Sequence, residues 1–348
     1  MKTGVRSKFI DVMKGVLITF VVIGHLNFFE YDSRTLTLIY SFHMPAFLII
    51  GGILSHVNED TPYKNIIIKR IRHILVPYFV FYLISLIIVP VSTMELRLKA
   101  IECIFNGIGN PNYAINLPLW FLPFYFVAML TFETIEYISY KLKIAIYGKK
   151  NRTGTDDFYF VQFATLCFII IIMYASYYYA KIYHGTRLPF NIEIAGFCLG
   201  FVYFGKLASV AFPSAVSYIK KSTILTVISF FVVIFTILGL IVIWYHYSMQ
   251  NGRIDLNARD YKNAFLMYVN AITGFILLAY FSFVLTYIPI IKDALSTFGE
   301  NSMYILAYHV PSSFLTHCFI IPISETRKHE GVVLPQRTIF AGTPQGGI

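Results

Sequence analysis

The sequence predicts an all-α, polytopic membrane helix bundle of about nine spans. Hydrophobic residues make up 57% of the 348 residues, charged residues 13%, and the mean hydropathy is +0.66. A soluble domain carries about twice that charged fraction. The apolar residues also form runs long enough to cross a hydrocarbon core, which takes about 20 residues. These runs lie near 9–29, 36–54, 74–91, 115–132, 158–180, 188–212, 223–247, 264–288 and 303–323.

Basic residues predict the orientation of these spans. Connections on one side carry sixteen Lys and Arg residues, against eight on the other side before the tail. Because cytoplasmic loops hold the excess, we expect a cytoplasmic N-terminus and a multi-pass protein in the lipid bilayer of the cytoplasmic membrane. The same loops explain the net charge of +10, so we expect no nucleic-acid partner. We expect residues 1–323 to form one membrane domain and 324–348 to form a polar, disordered tail.

The first span carries residues that a membrane helix rarely tolerates, namely Asp11, Lys14 and His25. Charged groups there cost about 2.5–3.5 kcal/mol each near the bilayer centre, so they are candidates for function. At about 100° and 1.5 Å per residue, Lys14 and His25 share one stripe and lie about 16 Å apart along it. Asp11 and Lys14 could simply pair on one helix turn. Alternatively, Lys14 faces an anionic cofactor and His25 accepts a proton from a hydroxyl.

Other polar residues in or beside the spans are further site candidates. His43 and His309 each stand two residues before a proline in an apolar run, where either a structural role or a place in the site is open. Arg70 and Arg72 either set topology or bind the phosphates of a cofactor. Glu193 is a carboxylate in the sixth predicted span, and no partner for it is apparent in the sequence.

The cysteines predict neither a metal site nor a disulfide. Cys103, Cys167, Cys198 and Cys318 lack the spacing of metal ligands, and three of them fall in apolar runs. A thiol in such a run packs as a small hydrophobic group. We therefore expect no metal ion to take part in the function.

Several of these motifs, in this order, resemble the acyltransferase 3 family, and most closely its fucose 4-O-acetylase-like branch. The resemblance covers about residues 6–320 and depends on the combination of motifs, since each is short. The motifs are Asp11-Val12-Met13-Lys14-Gly15, Val21-Val22-Ile23-Gly24-His25, Phe42-His43-Met44-Pro45, Arg70 and Arg72 before Leu75-Val76-Pro77-Tyr78, Trp120-Phe121-Leu122, Asn301-Ser302-Met303-Tyr304 and His309-Val310-Pro311.

This resemblance implies an integral membrane enzyme that moves an acyl group, usually acetyl from acetyl-CoA, to a hydroxyl of a cell-envelope sugar or polysaccharide. It assigns the family's basic residue and histidine to Lys14 and His25, with lysine where many members have arginine. It assigns the family's arginines after the second span to Arg70 and Arg72. We expect these two residues to meet the phosphates of the donor and Asp11 to assist by orienting Lys14. His25 would act as general base or carry the acyl group itself. The family usually has ten spans, so this chain would lack the last one.

Two other functions remain open from the sequence. A transporter or glycan flippase would also line its path with charged helix faces and histidines, and would leave its substrate chemically unchanged. A non-catalytic partner of a polysaccharide synthase would leave envelope acetylation unchanged on deletion. The acceptor and the oligomeric state have no signature in the sequence.

Overall fold

A computed structural model describes residues 7–25, 33–89, 93–110, 112–148, 154–183, 187–219 and 223–319. Within it, side chains are described except at 154–156, 211–219, 223–233 and 312–319. The predicted polar tail, 324–348, lies outside the described residues. So do the ends of three predicted spans, at 26–29, 90–91 and 320–323.

The described residues form an all-α bundle, as the sequence predicts, and contain no β-strand beyond one isolated bridge between Asp255 and Asp260. The helices are α1 Lys8–His25, α2 Arg34–Ile53, α3 Tyr63–Arg70, α4 Val76–Ile88, α5 Met94–Asn106, α6 Phe121–Tyr147, α7 Gly154–Ile182, α8 Ile192–Phe197, α9 Leu199–Ile219, α10 Thr223–Asn251, α11 Ala264–Leu285, α12 Pro289–Glu300 and α13 Ser302–Phe319. A π-helical turn, Ile71–Leu75, joins α3 to α4, and 3₁₀ turns at Leu117–Trp120 and Pro189–Asn191 precede α6 and α8.

Within the described residues, five helical stretches are long and apolar enough to cross a membrane. A sixth span is formed if α8 and α9, which bend by 57° at their junction, cross together. The protein is thus a multi-pass membrane protein. The predicted count of nine also includes α1, α10 and α13, which are helical but carry charges or are described only in part. That count stays a prediction. The five stretches are Arg34–Ile53, Tyr63–Ile88, Leu117–Tyr147, Asp157–Ile182 and Ala264–Leu285.

Two helices outside the membrane-spanning stretches, α5 and α12, have no counterpart among the predicted spans. α5 begins after Thr93, whose hydroxyl accepts a hydrogen bond from Leu96 N, and ends at Gly107, which has a φ of +64°. α12 begins at Pro289, in the first turn where proline fits best. Both are too short to span a bilayer, because 13 and 12 residues cover only about 20 Å at 1.5 Å per residue.

α1 packs against α12 through glycines on both helices. A Cβ on Gly15 would fall on the carbonyl oxygen of Leu295, and a Cβ on Gly299 would fall on that of Asp11. Close backbone contact of this kind is how membrane helices gain packing energy without a hydrophobic driving force. It fixes the part of α1 that carries Asp11.

Replacing Gly15 with alanine should therefore weaken this contact. We expect a loss of about 1–3 kcal/mol in the free energy of unfolding, the usual cost of overpacking, measured by thermal unfolding in detergent. Gly239→Ala in α10 is the matched control, because a Cβ there meets nothing within 4 Å. If both variants unfold at the same temperature, the α1–α12 contact is not as tight as described.

Candidate functional site

The Lys14–His25 stripe forms one uninterrupted face of α1. The helix runs from Lys8 to His25 without a break, so the two side chains are about 16 Å apart along its axis. Ile18 and Val21, which lie between them on the stripe, are both 2% exposed. The stripe therefore faces the protein interior, where polar groups in a membrane protein are normally found.

Lys14 and Asp11 form an ion pair, with Nζ 2.9 Å from Oδ1. The Asp11 side chain is 4% exposed and that of Lys14 is 22% exposed, so the lysine is the more accessible partner. Asp11 is 14 residues from His25, or about 21 Å along the helix. It is too distant to share a reacting atom with His25, and orienting Lys14, the role expected for it from the sequence, stays a prediction.

Three helices bring histidines together at the C-terminal end of α1, which we call the His25 end. The rings of His25 on α1 and His309 on α13 meet edge to face, with centroids 5.1 Å apart. His43 on α2 packs against Tyr40 at 4.9 Å, and the Tyr40 hydroxyl donates to the carbonyl of Gly24, the neighbour of His25. The structure thus joins His43 and His309, two further sequence candidates, to His25.

The hydrogen bonds of these rings determine which nitrogen carries the proton. Nδ1 of His25 lies 2.7 Å from the carbonyl oxygen of Val21, and Nδ1 of His43 lies 2.7 Å from that of Ile39. Nδ1 of His309 lies 3.0 Å from the carbonyl of Ile305 and 2.9 Å from that of Leu306. A carbonyl only accepts, so Nδ1 donates in each ring. In the neutral form the acceptor nitrogen is therefore Nε2, the one able to take a proton.

Each of the two prolines near the histidines frees a backbone carbonyl, but neither histidine bonds the carbonyl that its proline frees. Pro45 frees the carbonyl of Ser41, but His43 bonds the carbonyl of Ile39 instead. Pro311 frees the carbonyl of Ala307, and this one accepts a hydrogen bond from Asn116 Nδ2 at 2.7 Å. The same amide group donates to Ser85 Oγ at 2.9 Å. Asn116 therefore ties α13, and with it His309, to α4.

Asn116→Leu should loosen this junction. The amide is fully buried, and its loss leaves the Ala307 carbonyl without this donor, which costs about 1–3 kcal/mol. We expect a lower unfolding temperature and lower transfer activity, since His309 loses its support. Asn112→Leu, at an exposed position of the same loop, is the control. Equal stability of the two variants would contradict this role.

The loop between α10 and α11 reaches over the His25 end. Its Arg253 places the guanidinium carbon 4.2 Å from the centre of the Tyr40 ring. Asp255 and Asp260 pair through two backbone hydrogen bonds of 3.0 and 2.9 Å, which fold the loop back on itself. From the sequence, Arg253 is only one of the eight basic residues on the less basic side of the predicted membrane. The one available signal was Tyr40, three residues before His43 and so on the same helix face.

Glu193, another of the candidates predicted from the sequence, helps to hold the loop between α10 and α11 in place. Its Oε1 lies 3.7 Å from Arg259 Nη1, and its Oε2 accepts a hydrogen bond from Leu188 N at 3.3 Å. Arg187 donates to the side chain and backbone of Asn257, whose amide donates to the carbonyl of Gly109 at 2.8 Å. Burial, assisted by the charge of Arg259, lowers the pKa of Arg187. Glu193 thus has a structural partner that lies far away in the sequence.

Arg70 and Arg72, at the opposite end of the bundle, have different surroundings. Arg70 binds Glu133 of α6 in a bidentate pair, with Nε–Oε2 at 2.7 Å and Nη2–Oε1 at 2.5 Å. Their side chains are 12% and 3% exposed. Arg72, in the π-helical turn, is exposed. The predicted phosphate contact therefore suits Arg72 better than Arg70, because the guanidinium of Arg70 already binds the carboxylate of Glu133.

A groove of about 200 Å³ lies beside α1 but does not belong to the stripe. It is apolar and is lined by Val16, Thr19, Phe20, Phe281, Leu285 and Leu295. Val16 and Phe20 are rotated about 160° and 120° from Lys14 on a helix of 100° per residue. The groove is therefore on the other side of α1. Among the described residues, no group of three His, Cys, Asp or Glu residues is arranged to hold a metal ion.

The comparisons with known proteins give one family. Residues 7–325, most of the chain, match the acyltransferase domain of the acyltransferase 3 family. No curated protein and no solved structure matches the chain. The family match favours an enzyme over the transporter that the sequence left open. The chain belongs to the acyltransferase 3 family and is a membrane acyltransferase.

Proposed function

We propose that the protein is an O-acetyltransferase of the cytoplasmic membrane that moves an acetyl group from acetyl-CoA to a hydroxyl of a cell-envelope sugar or polysaccharide. The observation that supports this most is His25, whose Nε2 is the acceptor nitrogen at the opposite end of a buried stripe that begins at Lys14. A base of this kind suits the activation of a hydroxyl.

The donor would bind at the Lys14 end, which we take to be cytoplasmic. Lys14 is accessible and oriented by Asp11, and Arg72 is exposed, so both could meet the phosphates of acetyl-CoA. The stripe is about 16 Å long, so the acyl-bearing pantetheine arm of acetyl-CoA could lie along it and reach His25. Arg70 would contribute indirectly, by fixing α3 against α6 through Glu133.

The chemistry would take place at the His25 end. Nε2 of His25 accepts the proton of the acceptor hydroxyl while the oxygen of that hydroxyl attacks the thioester carbonyl carbon of acetyl-CoA. The carbon–sulfur bond breaks, and the thiolate of CoA takes the proton back from the imidazolium. The Val21 carbonyl, bonded to Nδ1–H, holds the ring orientation throughout. The edge contact with His309 further limits rotation of the ring.

The test is acetyl transfer in membranes. Membranes from cells that express the protein are incubated with acetyl-CoA labelled in the acetyl group, and label in the glycan fraction is compared with that in membranes without the protein. We expect label in glycans only when the protein is present. Equal label in both membranes would refute acetyl transfer to envelope glycans, and label transferred from a longer acyl-CoA alone would refute the choice of acetyl.

A further inference from the structure

A cavity of about 210 Å³ lies beside α5, and we call it the α5 pocket. Drug-sized ligands fill sites of about 300–1,000 Å³, so a pocket of this size suits a single ring. Among the described residues, none from α1, α2 or α13 lines it, so it is separate from the histidines of the His25 end. The lining consists of Lys99, Glu102, Cys103 and Asn106 of α5 and Ile108, Asn110 and Tyr113 of the loop that follows.

The loop after α5 holds this pocket at the His25 end of the bundle. The carbonyl of Gly109 accepts a hydrogen bond from Asn257, in the loop between α10 and α11, at 2.8 Å. Asn116 donates to the carbonyl of Ala307 on α13, the helix that carries His309. The loop is thus fixed to two elements that surround the proposed base, opposite the end where we place the donor.

α5 has the pattern of a helix that lies in the membrane interface. Its apolar residues recur at intervals of four, three and four, which places them on one stripe of the helix. The stripe is formed by Met94, Leu98, Ile101 and Phe105, and three of these, Met94, Leu98 and Phe105, are exposed. An exposed apolar stripe on a helix too short to cross the bilayer is typical of interfacial helices. Asn106 follows Phe105 and is rotated about 100° from it, so the α5 pocket opens beside the hydrocarbon, where a glycan outside the membrane can reach it.

Two polar side chains of the pocket are available to a ligand. Within the part of the chain that the structure describes, the side chains of Glu102 and Asn106 make no hydrogen bond and no ion pair. They are four residues apart on α5, so they lie on the same face and can contact one ligand. The amide of Asn106 both donates and accepts, and the carboxylate of Glu102 accepts. Hydroxyl groups, which also donate and accept, match this pair.

The charges around the pocket disfavour an anionic ligand. Lys99, the only cation among the lining residues, pairs with Glu95 at 2.8 Å and lies 4.7 Å from the centre of the Tyr113 ring. With Glu102, these groups carry a net charge of one negative, which repels a phosphate or a carboxylate. Tyr113 adds an apolar ring with a polar end. An uncharged ring that carries hydroxyls, namely a sugar, matches this combination.

We propose that the α5 pocket binds an uncharged sugar unit of the acceptor, other than the unit that is acetylated at His25. This proposal rests on the proposed function, since it concerns the acceptor of the same enzyme. Glu102 and Asn106 bond the hydroxyls of this unit, and Tyr113 packs against its ring. Binding energy from a part of the substrate remote from the reacting group can be used to favour the reaction, so the pocket favours glycans over shorter acceptors.

The test measures glycan binding in the absence of acetyl-CoA. The full-length protein in detergent is immobilised, and biolayer interferometry records the binding of envelope polysaccharide and of lipid-linked oligosaccharide, both extracted from cells that lack the protein. We expect saturable binding of at least one of these probes, and the one that binds identifies the source of the sugar unit. Phosphatidic acid, whose head group is a phosphate alone, should not compete.

A double variant connects this binding to the pocket. Glu102→Ala with Asn106→Ala should raise the Kd for the glycan about tenfold, because both side chains lose their hydrogen bonds to it. Neither side chain has a partner within the described protein, so the double variant should fold as wild type does. Asn112→Ala, at an exposed position of the loop after α5, is the matched control and should leave the Kd unchanged.

Three results would overturn the proposal: no binding of either glycan to the wild-type protein, competition by phosphatidic acid, or an unchanged Kd in the double variant. The proposed function fails separately. A protein whose glycan binding depends on Glu102 and Asn106, but which transfers no acetyl group in membranes, would refute acetyl transfer and leave the sugar site in place.

Discussion

His25→Gln should lower acyl transfer by about 10² to 10⁴-fold, the usual contribution of a general base. The glutamine amide could still donate to the Val21 carbonyl as Nδ1–H does, but it has no nitrogen that accepts a proton at neutral pH. The ring environment is thus altered little while the chemistry is removed. The measurement is the initial rate of label transfer from acetyl-CoA in membranes, normalised to the amount of folded protein.

The matched control is His56→Gln. His56 also bonds a backbone carbonyl through Nδ1, that of Leu54, but it is exposed and lies at the opposite end of the bundle. It should retain the wild-type rate. A His25→Gln enzyme with more than about a tenth of the wild-type rate would exclude the base assignment, because a group that contributes so little is below the usual range.

Arg70→Ala and Glu133→Ala should each destabilise the protein by about 3–5 kcal/mol, because each leaves a buried charge without its partner. Both side chains are mostly buried, and Ser55 Oγ also donates to Glu133 at 3.2 Å. The expected result is a large fall in unfolding temperature and in the amount of folded protein. Arg72→Ala, two residues away and exposed, should unfold at the wild-type temperature.

A double variant separates the ion pair from donor binding. Arg70→Met with Glu133→Leu replaces both charges with apolar groups, which is often neutral or stabilising for a buried pair. If Arg70 acts only through Glu133, the double variant recovers stability and keeps the wild-type KM for acetyl-CoA. Arg72→Ala should instead raise that KM without loss of stability. A raised KM for acetyl-CoA in the stable double variant would show that Arg70 itself contacts the phosphates of the donor.

The sequence predicts those parts of the structure that depend on the spacing of residues within one helix. The buried stripe of α1 follows from the spacing of Lys14 and His25 within one helix, and the structure has that helix from Lys8 to His25. α5 and α12 were missed because a search for long apolar runs passes over helices of 13 and 12 residues. Their end signals, Thr93, Gly107 and Pro289, were nevertheless present.

The parts that the sequence does not predict depend on contacts between distant segments. The predicted third span started at Ile74 because Lys69, Arg70 and Arg72 are typical of a loop. The helical stretch instead begins at Tyr63, and Arg70 lies within it, paired with Glu133 on α6. Glu193 acquires Arg259 as a partner in the same way. Arg253 lies in the loop after α10 and meets Tyr40 of α2 only in the folded protein, so periodicity within α2 could not reveal that contact.

The most direct test of the central proposal is the sidedness of the reaction. In sealed membrane vesicles of known orientation, labelled acetyl-CoA is supplied to one face only, because CoA does not cross the bilayer unaided. The proposal predicts transfer to the acceptor when the donor is on the face that carries Lys14 and Arg72, and none for His25→Gln on either face. Transfer from the His25 face, or undiminished transfer by His25→Gln, would contradict it.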